Sequence, residues 1–176
     1  MVKALRIPAD ADEPITAVEV SELEDYQAAV GGWIEPVDLP DLGVTVYVHE
    51  EGLLLSLPFN SRASFLWWYF VPAARQKAML VGPVLVVGLP DRSGASTDIP
   101  PHVTEMLSQP GRWRVEVRVV DDPTWHRNRA TYDDYFEALI WAMVMLERVT
   151  DAEDVRVVPV TSEALAGGAD VTEPAA

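Results

Sequence analysis

Residues 112–120 alternate without a break. Trp113, Val115, Val117 and Val119 fall on one side, Arg112, Arg114, Glu116 and Arg118 on the other. A period of two marks a strand with one face in the core. Residues 3–7, 16–20, 44–48 and 155–160 read as further short strands, and residues 84–88 form a continuous apolar run, the pattern of a strand buried on both faces. Residues 33–39 read as a strand that Pro36 confines to an edge or a bulge. Residues 53–57 are apolar and follow His49-Glu-Glu-Gly52, so they are expected to close a hairpin on 44–48, with Gly52 at a position of positive φ.

Two segments repeat at helical spacing. Ser21 with Glu24 reads as a capping box ahead of a stripe of Leu23, Tyr26, Ala29 and Val30, which Gly31-Gly32 stops. Thr131 with Asp134 reads the same way ahead of a helix over 132–149, whose middle is apolar all round. Asn60-Ser61 can cap a helix over 62–70 that ends before Pro72, and a short helix is expected over 103–108. The sum is an α+β fold: a short-stranded mixed or antiparallel sheet, two main helices, and a C-terminal strand–helix–strand unit. Residues 91–101, rich in Asp, Ser, Gly and Pro, read as a linker between a unit at 1–90 and a second at 102–160. Residues 161–176 read as a disordered acidic tail.

The chain has 176 residues, 49% of them apolar and 23% charged, which suits a folding rather than a disordered chain. Its net charge of −15 argues against direct nucleic-acid binding through a general positive field. The absence of Cys removes disulfides, thiolate metal sites and Cys nucleophiles. No apolar run reaches the roughly 20 residues of a bilayer span. No signal-peptide pattern opens the chain, so a cytoplasmic location is expected.

Five sequence words resemble a known family: Lys3-Ala-Leu-Arg-Ile-Pro8, residues 23–36 with Val30-Gly-Gly-Trp-Ile-Glu-Pro36 at their core, Glu50-Glu-Gly52, Asn60-x-Arg-Ala63, and Val81-Gly-Pro-Val-Leu-Val-Val-Gly88. Over residues 1–90 they are similar to the domain of unknown function DUF3846, found in phage, prophage and plasmid proteins. The resemblance implies a small α+β domain of mobile-element origin, with no assigned activity and no catalytic residues. The family usually has Asn where this chain has His49; if that Asn holds the turn through its side chain, the turn is built differently here.

Three clusters bear on chemistry. Between Ile7 and Ser61 stand twelve Asp and Glu and no Lys or Arg. Glu19, Glu22, Asp25, Glu35, Glu50 and Glu51 are expected to contribute to one acidic face, either a solvated surface or a mimic of DNA phosphates that blocks a DNA-binding protein. Phe65, Trp67, Trp68, Tyr69 and Phe70 wrap most of a helix, so one side of it must meet the second half of the chain, another copy or a partner. Arg114, Arg118 and Arg127 form a small basic cluster that contacts an anion or pairs with the protein's own carboxylates. Arg114 and Arg118 with Asp122 and His126 make an alternative small-molecule, nucleotide or catalytic site. His49 and His102 read as surface residues. No nucleophile–base pair, phosphate loop or metal-ligand spacing occurs. Catalytic residues, metal and cofactor are therefore not expected. The expected function is a non-enzymatic accessory protein, encoded by a phage or other mobile element, that binds a host protein, with a homodimer as a further option.

Overall fold

The computed structural model describes residues 1–160, and the expected tail at 161–176 lies outside the described residues. The chain divides into two compact units, with the boundary between Gln109 and Pro110. The first holds β1 (Val2–Ile7), β2 (Thr16–Val20), α1 (Leu23–Val30), β3 (Ile34–Leu39), β4 (Val44–His49), α2 (Ser61–Phe70), β5 (Val84–Gly88) and α3 (Pro101–Ser108). Its five strands form an antiparallel sheet in the order β2-β1-β5-β4-β3. The central strand β5 is buried at every position, as its unbroken apolar run predicts. Pro36 lies on β3, an edge of the sheet, where a missing N–H costs no ladder bond. α1 packs Tyr26 and Val30 onto Ala4, Val20, Leu85 and Val87. The Tyr26 ring meets Tyr47 edge-on at 5.1 Å.

The second unit holds β6 (Trp113–Val119), β7 (His126–Arg127), α4 (Tyr135–Arg148) and β8 (Ala152–Pro159). The strand order is β7-β6-β8, antiparallel throughout, and α4 packs on β6 and β8. Helices and antiparallel sheets of this kind make the protein α+β, with the expected C-terminal strand–helix–strand order.

Four local expectations are corrected. Residues 53–57 form turns, not a strand. β3 takes one side of β4 and β5 takes the other, which leaves no slot for a hairpin partner. Gly52 has an ordinary φ and is needed instead for close packing, since a Cβ there would stand 2.8 Å from Val81 Cγ2. The α1 capping box sits one residue later than expected, on Glu22 and Asp25. α4 starts after Asp134, whose carboxylate accepts from the Phe136 N–H at 2.7 Å. Its start is delayed because Tyr132 exchanges two 2.8 Å backbone hydrogen bonds with Trp113, which keeps residues 131–132 extended.

The expected linker at 91–101 belongs to the first unit. Thr97 bridges to Gly88, and the Ile99 N–H donates to the Lys3 carbonyl at 2.9 Å. These bonds carry α3 into the same unit, so the division falls at Gln109 rather than inside the Ser/Gly/Pro stretch.

Candidate functional site

Two polar residues at the start of α2 organise the middle of the first unit. Asn60 is fully buried. Its Oδ1 accepts from the Ala63 N–H at 3.0 Å, capping α2, and its Nδ2 donates to the carbonyls of Ile7 (3.1 Å) and Gly82 (2.9 Å). Arg62 donates to the carbonyls of Pro8, Asp10 and Glu13 and so pins the β1–β2 loop. Asn60-x-Arg-Ala63 is therefore a structural brace. Ser64, also fully buried, accepts from the Leu80 N–H (2.9 Å) and holds the segment returning to β5 against α2.

Between β4, that returning segment and the turns after β4 lies a cleft of about 240 Å³, lined by Glu35, His49, Glu50, Leu53, Trp67 and Met79 among others. The Gly52 N–H donates to the His49 carbonyl, the Leu55 N–H to Glu51 and the Leu57 N–H to Gly52, which coils the chain tightly. That coil turns three consecutive leucines outward: Leu53 is 64% exposed, Leu54 84% and Leu55 56%. Single exposed apolar residues are ordinary, whereas here three stand in a row and the first of them lines the cleft. Met79 is 49% exposed in the same lining.

His49, expected at the surface, is buried at the end of β4. Its Nδ1 accepts from the Glu51 N–H at 3.1 Å, two residues on, which is the bond an Asn side chain makes in an Asx turn. The imidazole lies against Gly32, where any Cβ would overlap it. This explains why the second glycine of Gly31-Gly32 is needed. Gly31, at φ 88°, supplies the left-handed turn that ends α1.

The aromatic cluster separates by residue. Trp67 lines the cleft. The Trp68 Nε1–H donates to the Ala78 carbonyl at 2.8 Å, and its ring meets Phe65 edge-on at 5.2 Å and lies 6.3 Å from Phe59. Tyr69 and Phe70 stack edge to face at 5.0 Å. All five are half-buried. The return of residues 71–81 along α2 supplies part of the cover that the sequence pattern requires.

The six carboxylates expected on one face do not share it. Glu35 and Glu50 line the cleft and Glu51 is exposed next to it. Glu19 lies on β2, at the opposite edge of the sheet. Glu22 and Asp25 form the α1 cap, where backbone N–H groups of Glu22 and Ser21 hold the Asp25 carboxyl below the usual range.

In the second unit the basic cluster is met by the protein's own acids. Glu116 is buried and accepts from Arg114 Nε (2.8 Å) and from Arg156. Arg118 pairs with Glu153 (3.2 Å) and Asp154 (3.6 Å). The Trp125 ring lies under both Arg156 (4.3 Å) and Arg118 (5.2 Å). His126 Nε2 is 2.7 Å from Asp122 Oδ2 at the exposed end of β7. The Asp122 carboxyl is held low by the Thr124 backbone N–H first, then by the Thr124 hydroxyl and His126. Arg127 is exposed on the edge strand opposite Glu116. Arg156 and Trp125 escape a linear reading because each meets the cluster from a different strand or loop; only the alternation of 153–157 hints that Arg156 faces outward. Among the described residues, no three His, Asp or Glu gather as metal ligands.

A sequence model of the domain of unknown function DUF3846 matches residues 2–110. The chain belongs to the DUF3846 family. The match runs past residue 90, where the sequence words stop, through α3, and so coincides with the first unit. The DUF3846 domain thus contains the Asn60 brace, the leucine turn and the cleft. No curated protein and no solved structure matches the chain.

Proposed function

We propose that the protein acts by binding rather than by catalysis. On this reading it is an accessory protein of a phage or other mobile element that captures a host protein in the host cytoplasm, at the cleft beside Leu53, Leu54 and Leu55. The observation that carries this reading is the leucine run standing in water next to Glu35 and Glu50. Covering a leucine stabilises a complex by about 1.5–3 kcal/mol. The carboxylates set the sign of the partner, favouring an apolar segment flanked by Lys or Arg and speeding encounter with it. They also oppose docking on an anionic membrane.

The test is capture from nuclease-treated bacterial lysate, comparing the full chain with a Leu53→Ser/Leu54→Ser variant. Both positions are exposed, so the variant keeps the wild-type unfolding midpoint. One host protein retained by the wild type and lost by the variant is expected, with slower association after Glu35→Lys. Equal retention by both, or no retained protein, overturns the proposal.

A further inference from the structure

The first unit's sheet has two edges, and they are not alike. β3 carries Pro36 at its centre, which removes a backbone donor and blunts that edge against strand addition. β2 has no proline.

The direction of its backbone groups follows from its neighbour. The Lys3 N–H donates to Asp98 Oδ1 and the Lys3 carbonyl accepts from the Ile99 N–H, each at 2.9 Å, so both point away from β2. Lys3 stands opposite Glu19, and Leu5 opposite Ala17. In an antiparallel ladder, residues alternate between bonded and non-bonded pairs. Glu19 and Ala17 therefore turn their N–H and C=O groups outward from the sheet. Among the described residues these groups have no hydrogen-bond partner. The next N–H in that series, on Ser21, is taken by Asp25 at 2.7 Å.

A groove of about 520 Å³ runs beside this edge, between β2 and α3. Ile99 is in its floor, the small Ala17 side chain leaves room, and Glu19 and Glu105 outnumber Lys3 along its walls. Asp10, Asp12 and Glu13 precede the strand and Glu22 and Glu24 follow it. An outward row of donors and acceptors is matched best by another strand. The surrounding carboxylates favour a cationic one and disfavour β2 of a second copy, which would bring the same acids.

We propose that β2 is a docking edge for an extended, cation-bearing segment of another protein, which adds as a sixth strand and lays alternate side chains into the α3 groove. This surface is separate from the leucine cleft.

The probe is a displayed library of random nonapeptides selected on the immobilised full chain, with the selected peptides then synthesised. Enriched peptides should carry Lys or Arg together with apolar residues at alternate positions, the set that faces Glu19, Glu105 and Ile99 in the groove. Bound peptide should slow amide exchange at Ala17 and Glu19 while leaving Leu53–Leu55 unchanged. Ala17→Pro and Glu19→Pro each delete an outward N–H without touching the β1 ladder, so each should weaken binding about tenfold or more. Glu19→Lys with Glu105→Lys, which leaves the backbone intact, should weaken it by a similar factor. No enriched peptide, peptides without cations, protection confined to the leucine cleft, or binding that survives these variants overturns the proposal. So does protection of the Ala17 and Glu19 amides by self-association at high protein concentration.

Discussion

Asn60 spreads three side-chain hydrogen bonds over three segments: the head of α2, the end of β1 and the turn before β5. Truncation to Ala uncaps the helix and strips donors from two backbone carbonyls. A lost cap costs about 1 kcal/mol and a buried unsatisfied group about 1–3 kcal/mol. Asn60→Ala is therefore expected to lower stability by ~3 kcal/mol, read as a shift of the urea midpoint at constant slope. Asn60→Asp keeps the cap acceptor but sets a carboxylate against the same carbonyls, so it should be no milder. His49 makes a different point. Its sequence neighbours, Glu50, Glu51 and Gly52, announce a turn and hence exposure. Its burial depends on Gly32, seventeen positions away, leaving space for the ring.

At the scale of elements, α1 shows how close a local reading comes and where it slips. The helix, its stripe and its glycine stop are legible, but the cap lies one residue beyond the Ser21-x-x-Glu24 pattern. The Asp25 carboxylate accepts from both the Ser21 and Glu22 N–H groups, an arrangement open to Asp as well as to Glu. Because these N–H groups lower its folded-state pKa, the stabilisation is present above the ordinary Asp value of 3.8 and is lost as the pH falls through the folded-state value. Asp25→Asn should therefore be less stable than the wild type at neutral pH, and the two should converge in acid. Urea unfolding from neutral pH to below 3.8 checks this; a pH-independent difference would remove the carboxylate from the account. α2 finds a cover other than the second half of the chain, another copy or a partner, to which its pattern pointed. Too aromatic for one buried side, it is partly covered by its own return segment, with Trp67 left for the cleft.

Across the whole molecule, the acids that run together in sequence part company in space. Glu19 and Glu35 lie on strands four positions apart in the sheet, about 19 Å at ordinary strand spacing. The acidic stretch therefore colours both edges rather than building one surface, and each edge acquires its own neighbour: the leucine turn at one, the α3 groove at the other. The division into units follows hydrogen bonding more than composition. The first unit closes its own sheet and reclaims residues 91–109 through Thr97 and Ile99. Residues 1–109 expressed alone are expected to unfold in one cooperative transition, measured by circular dichroism in urea. A broad transition would mean that the unit draws stability from the rest of the chain.

Much of this architecture was legible along the chain because the signals are local. An unbroken apolar run makes β5, alternation makes β6, Asn60 caps α2, and Pro36 confines β3 to an edge. The family words likewise mark the first unit, although they stop short of α3. Tertiary structure alone decided that Leu53–Leu55 stay out of the sheet, that His49 and Glu116 are buried, and which backbone groups of β2 face outward. Each of these depends on what occupies the neighbouring space. A strand needs a free partner, the buried Glu116 needs Arg156 from another strand beside the Arg114 of its own, and an edge is defined by the strand that is missing beside it.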